Sequence, residues 1–164
     1  MNIFLGGGKN THNVPVGSTT QINVGDLVWL DTATGLVKPA NAFTWTTNLA
    51  TTQANFAAKF LGVAVTGHTA GDATTTEIQV ETSPMALWQV GCVANTFYNG
   101  DMIAPAQDGS NNNLSNTVVA KTATVACAIG RVHNYLLAID VQIKVHYASA
   151  FDTMSSNKNA AIGA

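Results

Sequence analysis

Apolar and polar residues alternate strictly along the segment Leu137–Tyr147. A period of two places every second side chain on one face of a β-strand, so this segment is predicted to form a half-buried strand. Its apolar face would consist of Leu137, Ile139, Val141, Ile143, Val145 and Tyr147. The shorter segment Thr76–Thr82 has the same pattern, with an inward face of Ile78 and Val80 and an outward face of Glu77, Gln79 and Glu81.

Three further segments are predicted to form strands. Asp26–Asp31 and Phe60–Thr66 are largely continuous apolar runs, which are typical of strands buried on both faces. Thr117–Val132 is a β-prone stretch that Gly130 interrupts. Glycine-containing turn signals separate the predicted strands, at Thr34-Gly35, Gly71-Asp72, Asn99-Gly100 and Asp108-Gly109.

The two ends of the chain lack a sustained period. Met1–Thr20 contains a glycine triplet and two turn-forming residues, so we expect an extended N-terminal arm over residues 1–20. Ala148–Ala164 is small and polar, and we expect it to be a flexible C-terminal tail, which leaves residues 21–147 as one β domain. Within that domain, Asn41–Lys59 is either a loop or a short helix near Thr52–Lys59.

A weak internal repeat is visible. The segment Val24–Val28 resembles Asn99–Ile103, 75 residues later, and both contain a Gly-Asp pair before a hydrophobic strand. A Gly-Asp turn has a physical basis, because glycine adopts positive φ and aspartate accepts a hydrogen bond from its own backbone. Leu61–Val65 likewise resembles Ile129–Val132. The sequence leaves two explanations open: a duplication, or two similar hairpins on one β scaffold.

Composition agrees with an all-β fold. The chain has 164 residues, enough for one domain, with 21 Thr, 16 Val and 16 Asn but only two Glu and one Arg. Threonine and valine favour strands and asparagine favours turns, whereas the strong helix formers are scarce. The prediction is therefore a small single-domain β-barrel or β-sandwich, and the sequence does not decide between the two.

Charge and hydropathy exclude several classes of function. A net charge of −2 and a pI near 6.0 give no electrostatic basis for binding nucleic acid. No apolar run reaches the length of a membrane span, and Met1–Leu5 lacks the basic start of a secretory signal, so synthesis in the cytoplasm is expected. Cys92 and Cys127 could form one disulfide, but without an indication of export two separate buried thiols are favoured.

No catalytic, cofactor-binding or metal-binding site is predicted, and the chain is not expected to be an enzyme. The four histidines have no metal-site spacing, no Gly-x-Ser-x-Gly motif exists, and Gly6–Lys9 lacks the Ser or Thr that a phosphate loop requires. Glu77 and Glu81 would lie about 13 Å apart along a strand, farther than paired glycosidase carboxylates. A charge-poor β domain that packs readily against other proteins suggests a structural role.

The middle of the chain resembles the decoration, or cement, proteins of tailed-phage heads. The resemblance rests on Leu27–Thr32, Leu36–Lys38, Leu61–Val65 and Thr75–Val80, which are similar to the strand pattern of the lambda-type head stabiliser. The paired Gly-Asp units and Gly130–Val132 also resemble a related group of one-domain capsid cement proteins. A long segment at Asn41–Lys59 and the C-terminal tail depart from the pattern.

The resemblance implies a β-tulip-like fold and a structural virion protein on the exterior of an HK97-type capsid, made in the cytoplasm of the host bacterium. It would bridge neighbouring subunits of the major capsid protein, as a homotrimer, and stabilise the head. An N-terminal arm in this family adds a strand to a coat sheet. Here the partner-binding residues would be Asn2, Ile3, Phe4, Leu5, Val14 and Val16, and deletion of Met1–Val16 is expected to leave a folded core that no longer stays on heads.

Two other classes of function share the composition. One is another phage structural module, from a tail tube, a fibre or a baseplate. The other is a carbohydrate-binding β-sandwich, in which Trp29, Trp45 and Trp88 would form a stacking platform, with Trp45 the best candidate for exposure.

Overall fold

The computed structural model of the protein describes residues 1–73, 76–137 and 140–151. In this part of the chain eleven strands and one α-helix are present. The strands are β1 (Ile3–Gly6), β2 (Thr11–Pro15), β3 (Leu27–Asp31), β4 (Leu36–Pro39), β5 (Phe60–Ala64), β6 (Glu77–Glu81), β7 (Leu87–Cys92), β8 (Met102–Gln107), β9 (Leu114–Lys121), β10 (Gly130–Val132) and β11 (Gln142–Tyr147). The helix α1 spans Leu49–Ala57, and 3₁₀ turns lie at Ala40–Ala42 and Val125–Cys127.

The strands form two sheets that pack as a sandwich, so the predicted all-β class is confirmed. The six-stranded sheet has the order β1-β7-β11-β10-β8-β9, and the five-stranded sheet has the order β2-β6-β5-β3-β4. Neighbours in both orders are antiparallel, and β7 also pairs with β9 in the parallel direction. At the predicted turn signals Gly35, Gly71, Gly100 and Gly109 all have positive φ, as expected.

With β1 left aside, the chain folds into two halves of the same topology. The N-terminal half (β2 to β6) has the strand order β4-β3-β5-β6-β2, and the C-terminal half (β7 to β11) has the order β9-β8-β10-β11-β7. In each half the first strand, or the residue directly after it, also meets the third strand in parallel. The pairs are Val16–Val37, just after β2, and Cys92–Val119, between β7 and β9. Each half is therefore a sheet that curls toward closure.

The register of pairing is also the same in the two halves. Gly62 on β5 faces Val28 on β3, and Gly130 on β10 faces Ile103 on β8. The correspondence continues beyond the strands, in the antiparallel bridges Ile22–His68 and Phe97–Leu136. The weak sequence repeat thus belongs to five paired strands in each half, which favours a duplication over two similar hairpins.

The cores of the two halves match residue by residue. The N-terminal half encloses a cluster of eight buried hydrophobic residues: Val16, Ile22, Val28, Val37, Leu61, Ala64, Ile78 and Val80. The equivalent positions of the C-terminal half are also buried and hydrophobic: Cys92, Phe97, Ile103, Val119, Ile129, Val132, Ile143 and Val145. These belong to a larger cluster that continues into the contact between the halves, where Trp29, Phe43, Phe56 and Phe60 pack.

The uncertain segment Asn41–Lys59 contains the helix, which begins and ends slightly earlier than predicted. Its first turn is capped by Asn48, whose side chain accepts a hydrogen bond from the Thr51 amide at 2.9 Å. On its buried face, the Gln53 side-chain amide donates to the Pro105 carbonyl at 2.7 Å. The helix therefore joins the N-terminal half to β8 of the C-terminal half.

The N-terminal segment is extended, as expected, but it does not form an arm separate from the domain. Strand β1 pairs with β7, and β2 pairs with β6, so residues 1–20 supply an edge strand to each sheet. Val16 lies in the core of the N-terminal half. The sequence predicted that deleting Met1–Val16 leaves a folded core. The structure instead predicts that this deletion disrupts the N-terminal half, because it removes β2 and the buried Val16.

Three other expectations need correction. The predicted strand Leu137–Tyr147 begins only at Gln142, and Leu137 and Val141 are exposed; Ile139 lies outside the described residues. Glu81 is buried at the end of β6 and does not lie on an outward face, and its Oε1 atom accepts hydrogen bonds from the Asn10 and Ser83 amides at 2.6 and 3.0 Å. The stretch Thr117–Val132 breaks at the 3₁₀ turn and not at Gly130, which lies within β10.

The start of the predicted C-terminal tail packs against the domain. Ala148 and Ser149 are buried, and the Ala150 amide donates to the Phe60 carbonyl at 2.8 Å. Residues 152–164, with Met154 and Ile162, lie outside the described residues.

Candidate interaction surface

The six residues predicted to bind a partner divide into buried and exposed groups. Asn2 and Val16 are buried, and Val14 and Phe4 pack against the two cores. Phe4 makes an edge-to-face contact with Trp88, at 5.5 Å between ring centroids. Only Ile3 and Leu5 are exposed, at 45% and 42%. Four of the six side chains therefore contact the protein itself, and only these two remain available to a partner.

A second surface emerges from comparing the two Gly-Asp turns. In the N-terminal half the Asn23 amide donates to Asp26 Oδ2 at 2.8 Å, and the Asp26 amide donates to the Asn23 carbonyl at 3.1 Å. In the C-terminal half the same two bonds join Tyr98 and Asp101, at 2.8 and 3.0 Å. The local sequence thus folds alike in both places, as expected for aspartate in a turn.

The turn of the N-terminal half is covered by other parts of the chain. The Asn2 side-chain amide donates to the Gly25 carbonyl at 2.6 Å, and a Cβ on Gly25 would lie only 2.9 Å from the Asn2 carbonyl oxygen. Tyr147 fixes Asn2 in turn, because its hydroxyl donates to Asn2 Oδ1 at 3.1 Å. From the C-terminal half, the Asn116 side chain reaches Asp26 Oδ2 at 3.5 Å. An extended segment of backbone therefore lies directly on this turn.

The equivalent turn of the C-terminal half is open on the Cα side of Gly100, whereas the Gly100 carbonyl already accepts a hydrogen bond from Arg131 Nη1 at 3.0 Å. A Cβ on Gly100 would meet no atom of the described residues within 4 Å. Beside it, Tyr98 and Tyr135 are each 57% exposed, and their ring centroids lie 5.6 Å apart. Tyr98 follows Phe97, and Tyr135 precedes Leu136. Because Phe97 and Leu136 are paired in an antiparallel β-bridge, the two tyrosine rings are held next to each other.

The ionisation of the two turn aspartates differs because their surroundings differ. Burial raises the pKa of Asp26 above its ordinary value, despite the opposing hydrogen bonds from Asn23 and the charge of the N-terminal ammonium group. Burial also favours a higher pKa for Asp101. This effect is outweighed by the hydrogen bonds from Lys121 and the Tyr98 amide and by the Lys121 charge, so the pKa of Asp101 is lowered. The Lys121 ammonium lies 2.5 Å from Asp101 Oδ2 and 5.4 Å from the centre of the Tyr98 ring.

Three more exposed hydrophobic residues lie on the segments that carry the tyrosines: Val93, Leu137 and Val141. Backbone hydrogen bonds hold these segments together, from the Cys92 amide to the Val141 carbonyl at 2.9 Å and between Phe97 and Leu136. Over residues 93–98 and 135–141, Asp140 is the only charged residue. We call the adjacent pair Tyr98 and Tyr135 the tyrosine surface.

Sequence reasoning did not identify the tyrosine surface. Tyr98 and Tyr135 lie 37 positions apart, and nothing in either segment predicts that they meet. The signal that could have found Tyr98 is its position just before the second Gly-Asp pair, where the first has Asn23.

The chemically reactive residues are placed in structural roles. His68 is buried, with Nδ1 2.6 Å from the Thr20 carbonyl oxygen, and His146 Nε2 lies 3.2 Å from His133 Nδ1. The pKa of His146 is lowered, mainly because the ring is partly buried. A hydrogen bond to the Ala86 carbonyl opposes this effect, whereas the charge of His133 adds to it. Among the described residues no group of three or more His, Cys, Asp or Glu side chains could hold a metal ion.

The two cysteines are free and buried, which confirms the prediction of separate thiols. Burial raises the pKa of both thiols, and the nearby charge of Asp140 raises that of Cys92 further. Low thiolate content makes both cysteines poor nucleophiles at neutral pH.

The tryptophans do not form the exposed platform that a carbohydrate-binding sandwich would need. Trp29 and Trp88 are buried, at 7% and 4% exposure, and Trp45 is partly buried against the same core. The Trp29 indole N–H donates to the Pro39 carbonyl at 3.1 Å. That alternative, as based on these three residues, is therefore wrong.

No helix in the described part of the chain is long and apolar enough to cross a membrane. No protein-family model matches the sequence, and no curated protein matches it significantly. Among solved structures, the chain is similar to the N base of the head fiber protein gp8.5 of bacteriophage phi29. The TM-score is 0.44 and the sequence identity is 15%, over 86% of this chain and 95% of that chain.

Proposed function

We propose that the protein is a structural component of a phage virion that decorates and stabilises the outer surface of the capsid. It would bridge neighbouring subunits of an HK97-type major capsid protein. The observation that carries this proposal is the character of the surface. Charged residues make up only 10% of the chain, while twelve large hydrophobic side chains are exposed in the described part. A surface this poor in charge loses little hydration when it packs against another protein, which favours a protein that is covered in an assembly.

The sequence resemblance to head cement proteins gives this assembly its identity. The segments that carry it form β3, β4, β5 and β6, which are four of the five strands of the N-terminal half. The resemblance therefore concerns four adjacent strands of one half and not scattered turns. The duplicated half would give one chain two similar modules, and such a chain can span a junction between coat subunits.

Bridging requires at least two contact surfaces on the molecule. Strand β1 offers the first, because it is an edge strand and its exposed side chains Ile3 and Leu5 alternate with Phe4, which packs inward. A coat strand could extend the six-stranded sheet there. In a homotrimer three such weak contacts would act together, so the assembly would bind far more tightly than one chain.

Affinity capture from a lysate of cells producing the source phage tests the proposal. A tag on residue 164 keeps the N-terminal strands unaltered. We expect the major capsid protein to be recovered in near-equal molar amount, as measured by quantitative mass spectrometry. A matched capture with the tag alone sets the background.

The same experiment separates the alternatives. Recovery of tail, fibre or baseplate proteins in place of coat protein would assign the chain to another part of the virion. Recovery of no virion protein would contradict the proposal as a whole. Heads lacking the protein should also release their DNA at a lower temperature than complete heads, if the protein stabilises them.

A further inference from the structure

We propose that the tyrosine surface is a second contact with the capsid, and that it binds an extended segment of a coat subunit. This inference rests on the proposed function for the identity of the partner. The place of binding and the kind of segment bound are both inferred from the internal repeat.

The repeat shows that the fold does not require the two tyrosines. The position of Tyr98 in the first turn is held by Asn23, and the position of Tyr135 is held by Gly67, which precedes His68 in the equivalent bridge. Both turns make the same two hydrogen bonds. Two large aromatic side chains that the turn does not need, and that stay more than half exposed, point to a role outside the domain.

The repeat also shows what such a turn accommodates. In the N-terminal half the backbone of Asn2 lies against Gly25, close enough that a Cβ there would clash. In the C-terminal half Gly100 keeps the same positive φ, 92° against 88°, but its face is open within the described residues. An extended segment of another protein could approach the Cα side of Gly100 as the Asn2 backbone approaches Gly25, while the Gly100 carbonyl stays bonded to Arg131.

The chemistry of the surface favours a protein over a glycan or a charged ligand. Tyrosine gives a large contact area with few rotatable bonds, and it is frequent among the residues that dominate binding energies at interfaces. The two segments also carry the exposed side chains Val93, Leu137 and Val141, and Asp140 is the only charged residue on them. The nearby Arg131 is bonded to the Gly100 carbonyl. Lys121 is already paired with Asp101, so it is not an open site for an anion.

Binding to heads that lack the protein tests the inference. Fluorescently labelled protein is mixed with expanded heads, and the bound fraction is measured by sedimentation. The test variant is the double substitution Tyr98→Asn and Tyr135→Ala, in which Asn is the residue found in the equivalent turn. The matched control is Val24→Ala, which removes an exposed hydrophobic side chain from the first turn. Thermal melting of each variant checks that the fold is retained.

We expect the double variant to bind heads at least tenfold more weakly, and the Val24→Ala variant to bind within about twofold of the wild type. A photoreactive phenylalanine analogue in place of Tyr135 should crosslink to one segment of the coat protein. Unchanged binding of the double variant, or a crosslink only to a second copy of this chain, would overturn the inference while leaving the proposed function standing. Failure of the wild type to bind heads would instead refute the proposed function, and the inference with it.

Discussion

The same residue type in the same turn ionises differently in the two halves, and the reason is what surrounds it. Asp26 and Asp101 accept the same backbone hydrogen bond. Asp26 is buried and lies within reach of the Asn116 side chain, whereas Asp101 is paired with Lys121. At the scale of single residues, the sequence therefore determines the turn, and the tertiary contacts determine the charge state of its carboxylate.

This difference predicts opposite pH dependence for two matched variants. The raised pKa of Asp26 means that its contribution to stability is present below the unfolded value, about 3.9, and is lost as the pH rises through the folded pKa. The lowered pKa of Asp101 means that its contribution is present above about 3.9 and is lost as the pH falls through the folded pKa.

Urea unfolding of Asp26→Asn and Asp101→Asn at pH 3 and pH 7 measures the effect. We expect Asp101→Asn to lose stability relative to the wild type at pH 7 and little at pH 3. For Asp26→Asn, the free energy of unfolding relative to the wild type should be higher at pH 7 than at pH 3. A change of the same sign with pH in both variants would contradict the assignment.

At the scale of elements, the alternating and continuous apolar patterns located strands well but not their ends. Asp26–Asp31, Phe60–Thr66 and Thr76–Thr82 correspond closely to β3, β5 and β6. The strongest alternation, Leu137–Tyr147, predicted a strand longer than β11, which begins only at Gln142 and leaves Leu137 and Val141 exposed. A period of two indicates strand geometry, but it does not distinguish a buried face from a face that stays exposed.

Gly62 and Gly130 occupy equivalent places in the two halves, and both halves should be destabilised when a side chain is added there. A Cβ on Gly62 would lie 2.1 Å from the Glu81 carbonyl oxygen, and one on Gly130 would lie 2.3 Å from that of His146. Because the obstacle is backbone, the neighbouring strand would have to move. We expect Gly62→Ala and Gly130→Ala each to destabilise the protein by about 1–3 kcal/mol, as overpacking does.

The control is Gly91→Ala on β7, where the nearest atom to a new Cβ is 3.4 Å away. Its unfolding free energy, measured by denaturant titration, should stay within about 0.5 kcal/mol of the wild type. If the Gly62→Ala and Gly130→Ala variants were as stable as this control, the two close strand approaches would be contradicted.

At the scale of the whole molecule, the repeat predicts which truncations the fold tolerates. Strand β1 has no counterpart in the N-terminal half, whereas β2 is the counterpart of β7. Deletion of residues 1–6 should therefore leave both halves folded at reduced stability, because Phe4 no longer covers Trp88. Deletion of residues 1–16 removes β2 and the buried Val16, and should abolish cooperative unfolding of the N-terminal half.

Circular dichroism and thermal melting of the two truncated proteins measure this difference. The expected result is a cooperative transition for the shorter deletion, at a lower Tm than the wild type. A cooperative transition of similar amplitude for the longer deletion would show that β2 is dispensable, against the topology.

The sequence by itself determined the all-β class, the positions of β3, β5 and β6, the Gly-Asp turns and the separate thiols, because these follow from local periodicity, propensity and composition. It predicted no strand at β1, β2 or β7. The repeat is visible in the sequence only as two short pairs of similar segments. Most equivalent core positions are buried in both halves but hold different residues, as Val16 and Cys92 or Ile22 and Phe97 do. Tertiary structure alone decided that the N-terminal segment lies in the sheets and that Tyr98 meets Tyr135. Both depend on pairing between residues far apart in the chain, which no local pattern encodes.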